Sequence, residues 1–367
     1  ALLSSETIVI NSNQKEAVEV GIIEQNNEYL IVEYILNDFE LNSVEINDKK
    51  HHEIILDGEV NSLIKNKPEL PHINRSFIIP NDKSINAEVV SYEYKQFENI
   101  NVIPSKGNIT RNINKDAIPY IKDELYQIDR YYPSNIISTH NPYILRDFRG
   151  QVVQVNPIQF NPRKSILKVY TKIIVKLEFD DNNTVNQLVK NYKKSNKIIK
   201  DYDYLYSNRF LNYSSYKSRY APIEEDGEML VICYDSFCSE MTPFVNWKNQ
   251  KGIKTTLVPL SSVGNTYNTI KDFIQNFYNN HNLSYLLLVG DINQIPSRVS
   301  GSNWSSGESD PWYSYISGND SYPEFFVGRF SAENTSHVQT QVQRSIEYER
   351  DPQVFGNWYN KGVMVAS

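Results

Sequence analysis

The sequence predicts two structural classes in series, an antiparallel all-β part followed by an α/β part with a mostly parallel sheet. Three observations carry this. Residues 165–179 carry a period-two pattern, with an apolar side chain or threonine at every second position from Leu167 to Phe179. Residues 181–219 lose the alternation and become polar, rich in Asn, Lys, Ser and Tyr. From residue 227 onward, runs that are apolar throughout alternate with segments of helical period.

In the first part, Leu167, Val169, Thr171, Ile173, Val175, Leu177 and Phe179 share one face, and Lys168, Lys172, Lys176 and Glu178 share the other. Period-two alternation of this length describes a strand with one buried and one wet face. A strand at 151–155 precedes it, with Asn161-Pro162 and Arg163-Lys164 expected to make the turn between them. Further strands at 7–10, 29–35, 52–56 and 87–94 complete an antiparallel sandwich or barrel over residues 1–180. Residues 181–219 read as a linker with a short helix, the kind of exposed segment where proteases cut.

In the second part, 229–234 is a buried strand. Thr242 is expected to cap a helix with Pro243 in its first turn, Phe244 and Trp247 on its buried face and Gly252 at its end. A strand at 255–260 follows. Ile270, Phe273, Ile274, Phe277 and Tyr278 fall at i, i+3, i+4, i+7 and i+8, one face of a helix. Residues 285–289 form a third strand ending in Gly290-Asp291, and 325–327 a fourth. A helix over 337–350 buries Val338, Val342 and Ile346, and a new strand begins at 361–366. The chain stops as that strand starts, so an incomplete α/β domain is expected over 220–367.

A length of 367 residues accommodates two domains. The net charge of −7 lacks the concentrated basic surface of a nucleic-acid binder. No run approaches the roughly 20 apolar residues of a membrane span. Two cysteines, Cys233 and Cys238, exclude a disulfide framework as the main source of stability; so close together they could pair, bind or do nothing, and Cys233 within an apolar run favours a buried, inert thiol. The histidines form no HExxH pattern, and the adjacent His51 and His52 point to opposite faces of a strand. There is no G-x-S-x-G elbow, phosphate loop or dinucleotide fingerprint. Sites in open α/β sheets lie at the carboxyl ends of the strands. That singles out Asp235, Asp291 and the loop 292–324, which carries Glu308, Asp310, Asp320 and Glu324 between Gly318 and Pro323. Asp320 and Glu324, four apart with Tyr322 between them, suit a hard cation such as calcium, or else a solvated acidic loop.

Several stretches are more specific. FVNWKNQKGIKTT at 244–256, YLLLVGD at 285–291 with Ile295-Pro296, and SDPWYSYISGND at 309–320 running on to FVGRF at 326–330 resemble the opening of the gingipain catalytic domain. Tyr348-Glu349-Arg350 is similar to the end of its helix. IPSKGNITR at 103–111, IPY at 118–120, PYILRDFRGQ at 142–151 and FNP at 160–162 resemble the gingipain prosegment, in the same order. The arginine-specific gingipains are the nearest in pattern.

The resemblance implies a caspase-like α/β fold and a cysteine endopeptidase. Its catalytic cysteine and histidine are expected beyond Ser367, so neither Cys233 nor Cys238 is assigned as the nucleophile. It implies that residues 1–219 are a tethered inhibitor bound to the catalytic domain. Arg111 matches the basic residue offered to the specificity pocket, with Lys106 and Lys115 as competitors. Arg219 and Tyr220 match the processing junction. Asp320 and Glu324, with the carbonyls of Ser317 and Tyr322, match a calcium site. Substrates are implied to be proteins or peptides with arginine before the cut bond. The location is implied to be secreted or on a bacterial surface, the signal peptide already removed. Two alternatives stay open: a sorting peptidase of a bacterial secretion system, and a non-catalytic, calcium-stabilised surface binding protein.

Overall fold

The computed structural model describes residues 2–12, 16–110, 112–180, 185–188, 197–217, 221–223, 227–300, 307–353, 355–359 and 361–362. Its first part consists of antiparallel sheets, organised by the predicted long strand, Ile166–Asp180. One edge of that strand pairs with Ile158–Asn161 and then Tyr29–Leu36, the other with Ser84–Phe97. Val18–Gln25 extends this sheet beyond Tyr29–Leu36. A second sheet joins Tyr143–Leu145, Phe148–Val155, Pro71–Ile78 and Val60–Asn61, and a third joins Leu2–Val9, Asp38–Ile46 and Lys49–Ile55. All three contribute to one apolar core, through pairs such as Val32 and Val175, Phe77 and Val153, Phe39 and Ile54.

The alternation along the long strand holds, with Leu167, Val169, Ile173, Val175 and Leu177 buried. At Tyr170 it slips: Tyr170 is buried and Thr171 half-buried, beside the first of two register shifts against Ser84–Phe97, between Tyr170 and Lys172; the second falls between Ile174 and Val175. The expected turn also differs, because Ile158–Asn161 is itself a strand and residues 162–165 make the turn.

The segment after Asp180 is not a plain linker. It contains helices Lys200–Arg209 and Tyr213–Lys217, and buries Tyr202, Tyr206, Phe210 and Tyr213 against Tyr143, Leu145 and Phe148. Its polar composition hid this because tyrosine buries a ring while its hydroxyl finds a partner. Here the Tyr206 hydroxyl donates to Asp147 Oδ2 at 2.7 Å. Lys197–Ile199 then pairs in parallel with Ala221–Ile223.

The second part holds a parallel sheet in the order Lys254–Pro259, Glu228–Cys233, Leu283–Val289, Phe326–Phe330. Helix Tyr267–Asn280 covers one face through Ile270, Ile274 and Phe277. Thr242–Gln250 and Thr335–Arg350 cover the other through Phe244, Val338 and Val342. Thr242 does not cap its helix. The 3-10 turn Asp235–Met241 runs straight into it, and Thr242 already has helical φ and ψ of −53° and −46°. Trp247 is only half-buried, and Lys248 is the more enclosed, bonded to Glu349 at 2.5 Å. The same turn folds Cys238 back onto the end of the first strand, where it forms a disulfide with Cys233, Cα–Cα 5.5 Å. Of the alternatives the sequence left open, pairing is the one the structure shows, in place of the favoured inert thiol, since a spacing of five does not by itself reveal a chain reversal. Residues 361–362 form no strand, and 363–367 lie outside the described residues. Among the described residues, no helix is long and apolar enough to cross a membrane.

Candidate functional site

The chain order reverses beside Glu228–Cys233, whose neighbours are the second and third strands. The crevice at the carboxyl ends of Glu228–Cys233 and Leu283–Val289 is therefore the place for a site. The two aspartates expected there tie loops together. Asp235 accepts the Ser261 N–H at 3.1 Å and also the Ser261 hydroxyl, and these bonds hold its carboxyl below the usual range. Asp291 Oδ1 accepts from the Ser331 hydroxyl at 2.9 Å. Glu308 is exposed on the hairpin of Arg298–Ser300 and Gly307–Ser309. With both sulfurs in the disulfide, neither cysteine offers a thiolate.

The acidic loop spans the sheet from one end to the other. Asp310 stays at the carboxyl end, bonded to Arg329, but the loop then descends to the amino end. Here the structure corrects the expectation that the whole loop belongs to the carboxyl edge. Asp320 Oδ2 accepts the Ile144 N–H at 2.9 Å and Oδ1 accepts the Tyr322 N–H at 2.9 Å. Burial pushes the Asp320 carboxyl up despite these bonds. Glu324 is fully buried, its Oε2 accepting from Ile316 N at 2.6 Å. Ser317 precedes Gly318, whose φ of +76° suits glycine. A Cβ on Gly318 would lie 3.0 Å from both Asp320 Oδ2 and Asn186 Oδ1, so two oxygens converge beside it. They border a cavity of about 420 Å³ that is also lined by Asn319, His140 and Tyr322. Among the described residues, no three His, Cys, Asp or Glu side chains converge on a metal position. A cation here would meet the Asp320 carboxylate and the Asn186 amide oxygen, hard donors, whereas Glu324 and Ser317 are not among the residues lining this cavity.

The sequence motifs did not point to a buried polar contact that joins the two parts. Arg146 and Asp147 are the corner of the two-residue hairpin joining Tyr143–Leu145 to Phe148–Val155. The Arg146 side chain crosses into the α/β part. Nη1 donates to the carbonyls of Leu283 at 2.5 Å and Glu324 at 2.9 Å, and Nη2 to Asn282 Oδ1 at 2.7 Å. The Tyr202 ring stacks on it at 4.6 Å. Around it, Tyr202 OH donates to the Glu324 carbonyl at 3.0 Å, and Tyr143 stacks on Tyr322 with centroids 3.8 Å apart. Arg149, fully buried, instead braces its own side by donating to the carbonyls of Asn186 at 2.7 Å and Val185 at 2.6 Å. Two arginines interspersed among Tyr143, Ile144, Leu145, Phe148, Val152 and Val153 were the available signal.

Arg111, Arg219 and Tyr220 lie outside the described residues. Next to Arg111, Thr110 and Asn112 are exposed, and the Thr110 carbonyl accepts the Ile113 N–H at 3.0 Å. Of the competitors, Lys106 is occupied at home. It donates to the Lys115 carbonyl at 2.8 Å and lies 4.1 Å from the Tyr120 ring centre. Lys115 is exposed.

Comparison with known proteins gives these arrangements a family. The propeptide model of family C25 matches residues 11–220, and the model of peptidase family C25 matches residues 223–367. The chain is 35% identical over 317 residues to Gingipain R2 of Porphyromonas gingivalis, covering 84% of this chain and 41% of the relative. It is 24% identical over 326 residues to Lys-gingipain of the same organism, covering 84% of this chain and 18% of that one. The chain thus spans about two fifths of the length of Gingipain R2. Among solved structures it is similar to the complex of Porphyromonas gingivalis RgpB pro- and mature domains, at 27% identity and a TM-score of 0.48, covering 53% of this chain and 97% of that one. The chain belongs to peptidase family C25, the gingipain family of cysteine peptidases, and carries that family's propeptide region followed by peptidase-region sequence.

Proposed function

We propose that the chain is the latent form of a secreted cysteine endopeptidase that cleaves after arginine, with residues 1–219 acting as tethered inhibitor and folding aid. The observation that carries this reading is the propeptide match joined in one chain to the peptidase match. The packing of Arg146 and Ile144 against 282–284 and 320–324 supports it. Preference for arginine rests on the greater identity to Gingipain R2 than to Lys-gingipain. Arg111 is assigned to the specificity pocket, where a guanidinium meets a carboxylate through two parallel hydrogen bonds. Its loop inhibits by holding the adjacent backbone out of line with the nucleophile. Since the chain spans part of its relatives, the catalytic cysteine and histidine are sought in the rest of the protein.

Cleavage between Arg219 and Tyr220 is assigned as the activating cut. Calcium is assigned to Asp320 and Glu324 with the carbonyls of Ser317 and Tyr322, as a stabiliser of the loop and with no catalytic step.

The test uses the full-length proform, assayed with calcium on arginyl and lysyl peptides beside an Arg111→Ala variant, with N-terminal sequencing. The reading expects thiol-dependent arginyl cleavage to rise as Tyr220 becomes the N-terminus, and the variant to be less tightly inhibited. An uncut Arg219 with no thiol-dependent activity would overturn it. Activity confined to tagged cargo would point to a sorting peptidase.

A further inference from the structure

Resting on the reading that residues 1–219 stay bound to the peptidase half, we propose a guanidinium-binding socket on that half. It is built from Asn282, Leu283, Ser284 and the carbonyl of Glu324, and Arg146 in it anchors the prosegment after the junction is cut.

The socket presents only acceptors to the guanidinium. Besides the Leu283 and Glu324 carbonyls and Asn282 Oδ1, Ser284 Oγ lies 3.4 Å from Nη2. The nearest countercharge, Asp147, belongs to the same hairpin, its Oδ2 3.7 Å from Nε. A planar fork reaches these divergent oxygens at once, which a lysine ammonium does not. Gly227 packs directly against Ser284: a Cβ there would come within 2.2 Å of Ser284 Oγ, and its φ is +75°.

The backbone gives an independent sign. Arg146 has φ +46°, the left-handed region, at the first corner of a two-residue turn where glycine is the easy choice. Such a conformation in a residue with a Cβ persists only where its surroundings over-determine it. The turn delivers the side chain to near-complete burial in the opposite half.

The flanking contacts come from residues ahead of the junction as well. Tyr285 OH donates to Asp201 Oδ2 at 2.7 Å, and Arg209 Nη2 donates to Tyr322 OH at 2.9 Å. Hydrolysis at Arg219 breaks none of these. The socket lies at the amino end of the sheet, beside Leu283, whereas Asp235 and Asp291 mark the carboxyl end. The grip that retains the prosegment is therefore separable from the loop around Arg111.

The experiment uses the full-length proform cut at the junction, with release of the prosegment followed by size-exclusion chromatography over time. Truncating a buried, hydrogen-bonded charge on one side of an interface should shorten the residence time of Arg146→Ala on the order of 100-fold. Arg146→Lys should recover little of this, and millimolar methylguanidinium, but not methylammonium, should slow release from Arg146→Ala. Should Arg146→Ala not fold, Asn282→Ala, which leaves the prosegment unaltered, decides the matter, with about tenfold faster release expected from one lost charged hydrogen bond. Retention of the prosegment as in the wild type by the variants that fold overturns the socket. If the wild-type complex stays joined yet cleaves peptides as fast as the free enzyme, the inhibitor reading fails while the socket stands.

Discussion

The Arg329 guanidinium holds the Asp310 carboxylate in a two-bond fork, Nε to Oδ2 at 2.8 Å and Nη2 to Oδ1 at 2.7 Å. Its remaining nitrogen reaches the carbonyls of Gly290 at 2.8 Å and Ile295 at 3.1 Å. One side chain on the fourth strand thus ties the acidic loop to the end of the third. Arg329→Lys keeps the charge but loses the fork, and should cost about 2 kcal/mol. Asp310→Asn leaves an enclosed guanidinium without its countercharge and should cost about 3 kcal/mol. Urea unfolding of the full-length proform, followed by tryptophan fluorescence, measures both; equal stability in all three proteins would show the fork to be energetically idle.

Acid should weaken the protein in two windows. Burial holds His51, His52 and His72 below their ordinary pKa, so the folded state prefers them neutral. His51 lies 2.9 Å from Lys122 Nζ and 3.0 Å from the Lys49 carbonyl, and His52 Nδ1 accepts from Asn101 N at 3.3 Å. Their folded pKa is below the unfolded value of about 6.5, so stability falls as pH drops through 6.5 toward the folded pKa. Asp310 acts lower. Burial pushes its carboxyl up, but hydrogen bonds from Arg329 and Ser297 outweigh this and leave it depressed. Its contribution is present above the unfolded pKa of about 4 and lost as pH falls through the folded one. Hydrogen exchange of the β-rich half between pH 7.5 and 5 should show the first window, flattened in a His51→Gln, His52→Gln double variant.

The disulfide between Cys233 and Cys238 should leave these two cysteines unreactive to a thiol reagent in urea until a reductant is added. Cys238→Ser should cost about 2 kcal/mol, the chain-entropy value for so short a loop. Rapid labelling of either cysteine without reductant would contradict the pairing.

Calcium at 100 times its Kd should stabilise the proform by about 2.7 kcal/mol, with a matching rise in Tm. Asp320→Asn should abolish the calcium-dependent part. A Tm that chelation leaves unchanged would remove the proposed site.

Much of the architecture was legible because burial writes itself into period. The alternation of 165–179, the apolar run 285–289 and the spacing from Ile270 to Tyr278 each name an element and its buried face. Less legible were elements whose apolar surface is carried by tyrosine. Tyr202, Tyr206 and Tyr213 sit in a segment rich in Asn, Lys and Ser with no apolar period, yet their rings fill a core. The cap at Thr242 was misread, and the pairing of Cys233 with Cys238 left open, for a related reason, since both depend on the 3-10 turn Asp235–Met241 that no local pattern announced.

By itself the sequence determined the two classes of fold, their order along the chain and the family, because side-chain periodicity and motif order are properties of neighbours in the chain. Only the tertiary structure decided that the loop bearing Asp310 also carries Asp320 and Glu324 to the opposite end of the sheet. Only it decided that Arg146, 136 residues ahead of Asn282, would bury its charge among that segment's oxygens. A guanidinium finds its acceptors by proximity in space, and no spacing along the chain encodes that distance.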